Sequence, residues 1–496
     1  MSGSLLVAGT TSDAGKSVVT TGLCRAFARR GMRVAPFKAQ NMSNNSMVTA
    51  AGAEIGRAQW VQAVAAHVEP EAAMNPVLLK PGSDRRSHVV VMGRPAGHLD
   101  ATEFAGGRAA LAEAAFTAYD ELATRFDLVV CEGAGSPAEV NLREHDYVNM
   151  GLARHGRIPT LLVGDIDRGG VFAAMYGTLA LLDAADQALV AGFVVNKFRG
   201  DRGLLAPGLD TLEQLTGRPV LGVLPWLHDL VLDSEDSLAS HRVRPRVDDG
   251  AGRLRVVVVA LPRISNFTDV DALQLEPYVD VEYVRDARRL SGADVVVLPG
   301  TRATVDDLAW LRERGLADAI VEHARRGGVL LGICGGFQML GTTVADPDGV
   351  EGPAGTVVAG LGLLDVRTEL TAEKVLGLPT GSAYGVPVAG YEIHHGRATV
   401  GSGDAFPGGV RSGAVFGTMW HGCLEGDELR AAWLTEVAAL AGMSAFRPDG
   451  LGFRAAREAQ IDALADAVER HLDLDRLLDL AFAGPPSLPV LRGQLG

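Results

Sequence analysis

Cys334 stands in Gly332-Ile333-Cys334-Gly335-Gly336, between the apolar run Gly328-Val329-Leu330-Leu331 and the segment Phe337-Gln338-Met339-Leu340. The run reads as a buried strand and the later segment as the opening of a helix. A cysteine at such a corner is the sulfur counterpart of a nucleophile elbow. Glycines permit the sharp turn, a helix N-terminus favours thiolate, and the N–H groups of Gly335 and Gly336 face a developing oxyanion. A cysteine nucleophile needs a base. His421 closes the apolar run Ala414-Val-Phe-Gly-Thr-Met-Trp and precedes Gly422. Both residues then sit at carboxyl ends of strands, where open α/β sheets place their sites. A structural buried cysteine and a satisfied strand-end histidine are the plain alternatives, and the flanking glycines favour the chemical reading.

A second chemistry lies near the start of the chain. The strand Ser4-Leu-Leu-Val-Ala-Gly9 runs into Thr10-Thr11-Ser12-Asp13-Ala14-Gly15-Lys16-Ser17, and a helical run over 18–30 ends at Gly31. Strand, polar loop, Lys-Ser and helix form a phosphate cradle, with ATP as the expected nucleotide. Thr10, Thr11 and Gly15 shape the loop, Lys16 neutralises the outer phosphates, and Ser17 offers its hydroxyl to Mg²⁺. The first glycine lies one position too early for the strict G-x-x-x-x-G-K-[ST] pattern. Lys38 follows the second strand and reaches toward the same phosphates. Glu132 ends a buried strand beside Gly133 and is a second candidate Mg²⁺ ligand. Asn196 ends another strand, placed to read an adenine edge.

These residues need strands and helices to hold them. At 496 residues the chain exceeds what one core usually serves. An apolar share of 47% with only 5% aromatics suits α/β layers built on Ala, Val and Leu. Strand signals at 33–37, 127–132, 160–164, 189–195 and 220–224 alternate with helical segments, which predicts a doubly wound, largely parallel sheet. The text turns polar over 234–253, the expected linker, and Leu254-Arg-Val-Val-Val-Val259 starts a second α/β unit. The expected division is 1–233, a linker 234–253, 254–435, and a helical extension 436–496. The formal charge of −14 argues against a nucleic-acid partner. No apolar run is long enough to span a membrane, and the opening Met-Ser-Gly-Ser reads as leaving no room for a signal peptide. Four cysteines without metal spacing suit a reducing cytoplasm. His67, His88, His394 and His395 are not spaced as a metal set. Oligomeric state is not legible.

G-I-C-G-G-F-Q followed much later by a strand ending W-H-G resembles a class I-type glutamine amidotransferase domain, over roughly 254–433. That resemblance implies glutamine hydrolysis through a cysteinyl thioester, and a further oxyanion donor at Gly300. Many such domains carry a glutamate two residues after the histidine. Cys423 stands there instead, and Glu425 has the wrong spacing, so a Cys–His pair without an assigned acid is expected. The loop around Lys16 resembles the dethiobiotin synthetase type of P-loop enzyme.

F-K-A-Q-N-M-S-N-N from Phe37, M-N-P-V-L-L-K-P from Met74, G-D-I-D-R-G-G-V-F-A from Gly164 and V-N-K-F-R-G-D from Val195 are similar to the cobyric acid synthase family. The implied activity is ATP-dependent amidation of the b, d, e and g carboxylates of adenosylcobyrinic acid a,c-diamide, with glutamine as nitrogen donor. The corrinoid is then a substrate rather than a cofactor. Lys80, Arg85, Arg86 and Arg168, in or beside these segments, are the candidate carboxylate-binding residues. The sister a,c-diamide synthase, a P-loop regulatory protein and a stand-alone cysteine hydrolase remain the alternatives.

Overall fold

The computed structural model describes residues 2–81, 86–100, 108–227, 252–443, 446–448 and 452–491. The expected linker therefore lies almost wholly outside the described residues. The first sheet has six strands in the order Val220–Pro225, Val190–Phe198, Thr160–Asp165, Gly3–Gly9, Leu128–Glu132, Val34–Phe37. All neighbours are parallel. Near-continuous apolar strands fit this, because helices cover both faces of such a sheet. Leu5, Leu6, Val7 and Val129 are all fully buried. The strand Gly3–Gly9 is central, which sets the phosphate loop at the middle of the sheet's carboxyl edge.

The second sheet has seven strands, ordered Val279–Val284, Leu254–Val259, Val295–Leu298, Val329–Ile333, Val415–Thr418, Gly409–Ser412, Asp404–Phe406. The first five are parallel and the last two add as antiparallel edges. The Cys334 strand and the His421 strand are direct neighbours, with Ile333 opposite Thr418. Adjacent strand ends bring a cysteine and a histidine together with no long loop between them.

Two features were not anticipated. A four-stranded sheet of Gln40–Met42, Val77–Pro81, Arg86–Val91 and Arg94–Asp100 is inserted after the second strand. Its first strand, Gln40-Asn41-Met42, is only three residues long and carries no strand signal. A long hairpin, Val366–Gly377 with Glu392–Val400, breaks register between Leu370 and Val375. Such a break re-aims side chains, and Lys374 within it points into the first domain.

The C-terminal segment also behaves differently from a simple appendage. Helix Asp427–Leu440 runs through the expected 435/436 boundary. Helices Phe453–His471 and Leu474–Ala483 then return to the first domain, where Ile461, Val468 and Leu477 share a core with Leu5, Val7 and Phe27. Buried Arg25 clamps the return, donating to Glu458 at 2.6 Å and Asp462 at 2.7 Å. No helix among the described residues is long and apolar enough to cross a membrane.

Candidate active sites

Cys334 adopts φ 49° and ψ −108° between strand and helix, a backbone region that costs a non-glycine residue about 1–3 kcal/mol. The turn is held from both sides. The Cys334 N–H donates to the Thr418 carbonyl at 2.7 Å, and its own carbonyl accepts from the Gln338 N–H at 3.0 Å. A Cβ on Gly336 would lie 1.9 Å from the Leu298 carbonyl oxygen, and one on Gly335 2.7 Å from Thr301 Cγ2. Both glycines are thus required sterically. Their amides occupy the first positions of helix Gly335–Leu340, where N–H groups have no intrahelical acceptor. Gly300 packs against the histidine, with a Cβ there meeting His421 Cε1 at 2.9 Å.

His421 is buried, hydrogen bonds to Cys334, and is stacked on Tyr391 with ring centroids 5.3 Å apart. Its Nδ1 lies 2.7 Å from Asp269 Oδ2, while Asp269 Oδ1 accepts the Gly422 N–H at 2.8 Å. Burial lowers the histidine pKa, but the charge of Asp269 and the contacts with Asp269 and Cys334 outweigh it and raise it to about 10. An imidazolium facing sulfur is the setting in which a thiolate nucleophile works. Asp269 is the acid that sequence reasoning missed. It sits in the short turn Phe267–Val270 after the first strand of its sheet, and no spacing relative to the histidine announces it. Glu425 belongs elsewhere: it pairs with Arg57 of the first domain at 2.7 Å and Arg457 at 3.2 Å.

Beside Cys334 a narrow cavity is lined by Lys80, Arg302, Gln338, Glu351 and Lys374. Lys80 was expected on a substrate-binding surface. It is instead buried, donating to Glu54 at 2.6 Å and Ser46 Oγ at 2.8 Å. The second Glu54 oxygen accepts from Lys374 at 2.5 Å. Burial alone would raise the Glu54 pKa, but the two ammonium groups hold it well below the usual carboxylate range. Burial pushes Lys374 down to about 8, Glu54 only partly opposing. One carboxylate thus bridges lysines from both domains. Nearby, the Ser46 N–H donates to Asn266 Oδ1 at 2.9 Å and the Phe267 N–H to Asn45 Oδ1 at 3.2 Å. The segment 38–46 therefore braces the turn that carries Asp269.

At the phosphate loop, Gly15 takes φ 96° and caps helix Lys16–Arg29. Lys16 Nζ donates to the carbonyls of Thr11 and Ser12, each at 3.0 Å, and of Gly135 at 3.2 Å, which curls it over the loop. Thr10 anchors the strand end through its N–H to Val163 at 2.9 Å. Glu132, fully buried, gathers Ser17 Oγ at 2.8 Å, Lys38 Nζ at 3.0 Å and Gln62 Nε2 at 2.6 Å. Lys38, Gln62 and Ser17 outweigh burial and lower its pKa. Hydroxyl and carboxylate oxygens meeting at a phosphate loop suit Mg²⁺, which takes few protein oxygens and fills its shell with phosphate and water. No group of three or more His, Cys, Asp or Glu side chains is gathered for a metal among the described residues.

Other expected residues stand apart. Asn196 supports the phosphate loop: its Nδ2 donates to the Ala14 carbonyl at 2.9 Å, and it packs against Gly15. Arg168 reaches Asp13 at 2.6 Å on the exposed rim of that loop and does not line the cavity beside Cys334. Arg85 lies outside the described residues, and Arg86 opens a strand of the inserted sheet.

Residues 5–238 match the CobQ/CobB/MinD/ParA nucleotide binding domain, and residues 255–429 the CobB/CobQ-like glutamine amidotransferase domain. The protein is a glutamine amidotransferase joined to a P-loop nucleotide-binding domain. Over 499 aligned residues it is 65% identical to a cobyric acid synthase of Mycobacterium tuberculosis, covering 99% of each chain. It is 64% identical to those of Mycolicibacterium gilvum and Mycobacterium ulcerans over 493 residues, 98% of each chain. The chain belongs to the cobyric acid synthase family.

Proposed function

We propose that the protein converts the b, d, e and g carboxylates of adenosylcobyrinic acid a,c-diamide to carboxamides, giving cobyric acid. The observation that carries this reading is similarity to cobyric acid synthases across 99% of both chains, with both domains in one order. Cys334 sulfur attacks the glutamine side-chain carbonyl, the C–N bond breaks, and His421 gives its proton to the departing ammonia. The N–H groups of Gly335 and Gly336, with Gly300 beside them, receive the oxyanion. Water then hydrolyses the thioester to glutamate and restores the thiol. Asp269 keeps the imidazole in the orientation and charge this needs.

In the first domain a substrate carboxylate oxygen attacks the γ-phosphorus of ATP, releasing ADP and leaving an acyl phosphate. Ammonia attacks the acyl carbon, and inorganic phosphate departs as the amide forms. Lys16 and Lys38 orient and offset the phosphate charge. Ser17 Oγ and Glu132 would hold Mg²⁺, which would supply further charge neutralisation there. The testing experiment is mass spectrometry of the purified protein with ATP, Mg²⁺, glutamine and cobyrinic acid a,c-diamide. Four successive exchanges of hydroxyl for amine are expected. An unchanged corrinoid mass with active glutaminase overturns the reading.

A further inference from the structure

The phosphate loop divides the first sheet into two flanks. On one, Asn196 and Lys197 brace the loop, Lys197 Nζ donating to the Asp13 carbonyl at 2.8 Å. There too, the Arg199 guanidinium covers Trp226 at 3.9 Å. On the other flank lies an open cavity of about 420 Å³, which meets Lys16, Ser17 and Lys38 at its floor and draws all its lining from residues 12–149. Its volume falls within the usual range for small-molecule sites. A P-loop directs the outer phosphate away from the helix that follows it and toward the attacking group. Lys16, Ser17 and Lys38, the residues suited to the outer phosphates, all line the cavity, so it opens at the γ-phosphate end.

Part of the rim of this cavity is apolar where solvent meets it. Met42 is 51% exposed and Leu142 39%, and both line the opening; Val140, on the same turn as Leu142, is 54% exposed. Met42 ends a strand of the inserted sheet, and Leu142 belongs to the turn Val140–His145. Two separate elements therefore present apolar side chains across one opening. Deeper in, Arg108 lines the wall and donates to the His145 carbonyl at 3.2 Å. Two carboxylates share the lining. Asp146 is engaged by the N–H groups of Val148, Asn149 and Met150 at 2.8–2.9 Å, and Glu139 is exposed at the edge. Arg143 is largely neutralised by Asp186.

We propose that Met42, Leu142 and Val140 form the seat of the corrinoid macrocycle, with Arg108 receiving a peripheral carboxylate while another reaches the γ-phosphate at Lys16 and Lys38. The assignment rests on the function proposed above and places its acceptor. An apolar ring face fringed by carboxylates matches an apolar lip above a cationic floor. The cavity takes the reacting edge, and the ring rests on the lip. An open lip also suits a substrate whose four carboxylates must each reach one phosphate from different sides of the ring. Lys80, buried between the domains, and Arg168, beyond the opposite flank, are thereby replaced as substrate contacts.

The test uses the full chain and the visible colour of cobyrinic acid a,c-diamide. The double variant M42S/L142S and the single variant R108Q are compared with wild type by ultrafiltration binding in the presence of ADP and Mg²⁺, and by steady-state amidation. Both lip residues are half-exposed, so the fold survives their exchange. The double variant is expected to weaken corrinoid binding and raise its KM at least tenfold, with KM for ATP and glutamine within twofold. R108Q is expected to raise the corrinoid KM in a way that added salt mimics in wild type. Unchanged corrinoid KM in the double variant, with wild type fully active, overturns the lip but leaves the function. Wild type that neither retains nor amidates the corrinoid overturns the function and the lip with it.

Discussion

His421 Nδ1 and Asp269 Oδ2 are 2.7 Å apart although 152 positions separate them in the chain. Their contact is braced from the first domain through Asn45 and Ser46. The geometry of the candidate glutaminase site thus leans on the first domain.

Asp269→Asn is expected to lower glutamine-dependent turnover by about 10²–10⁴-fold, the span that acid–base catalysis by the histidine it orients is worth. Ammonium-dependent amidation should persist. Glu425→Ala, which breaks a link to Arg57 rather than to His421, should cost far less. An Asp269→Asn enzyme with normal glutamine kinetics would remove Asp269 from the site.

The pH behaviour follows from the raised histidine. His421 moves from an ordinary 6.5 to about 10, so its stabilising contribution is complete below 6.5 and is lost as pH rises through 10. The alkaline limb of glutaminase activity should fall near that value in wild type. In Asp269→Asn the limb should move to lower pH, because a pairing charge is gone. Rate profiles with ammonium as control check this, and a limb that stays in place contradicts it.

Cys334→Ala and Lys16→Ala separate the two chemistries. The first should abolish glutamine use and spare ammonium-supported amidation. The second should collapse amidation from either nitrogen source while some glutaminase activity survives. In wild type, inorganic phosphate should appear one-for-one with each amide. Release of AMP and pyrophosphate would instead mean activation by adenylation.

Glu54→Gln leaves Lys80 and Lys374 buried together without their shared carboxylate. Breaking such a pair typically costs about 3–5 kcal/mol. Lys374, already at about 8, sheds its proton more readily once Glu54 is gone, which limits the loss. Urea unfolding monitored at both domains checks the value. Unchanged stability would show that the bridge contributes little to domain docking.

Strand ends were legible because parallel strands are apolar runs with glycines at their carboxyl ends, so the corners at Gly15, Glu132, Cys334 and His421 could be located. The α/β class followed from the same runs. Partners at those corners were not legible. Asp269 reaches His421 through a turn whose residues carry no spacing signal. Lys80 looked like a surface cation because sequence does not show that Glu54 and Lys374 close over it. Asn196 has the chemistry to read a base, and that its amide also braces the loop at Ala14 was not legible. Helical periodicity after Phe453 was clear, but which core it served was not, since that depends on where the chain returns.

That return has a consequence for synthesis. The first domain's core is finished by Ile461, Val468 and Leu477, residues that leave the ribosome after the whole second domain. Domains usually fold as units in order of emergence. Here the nascent first domain must wait with an apolar flank uncovered while the second forms beside it. Premature termination between His421 and Ile461 therefore yields a chain with both active sites encoded and its first domain left unsealed.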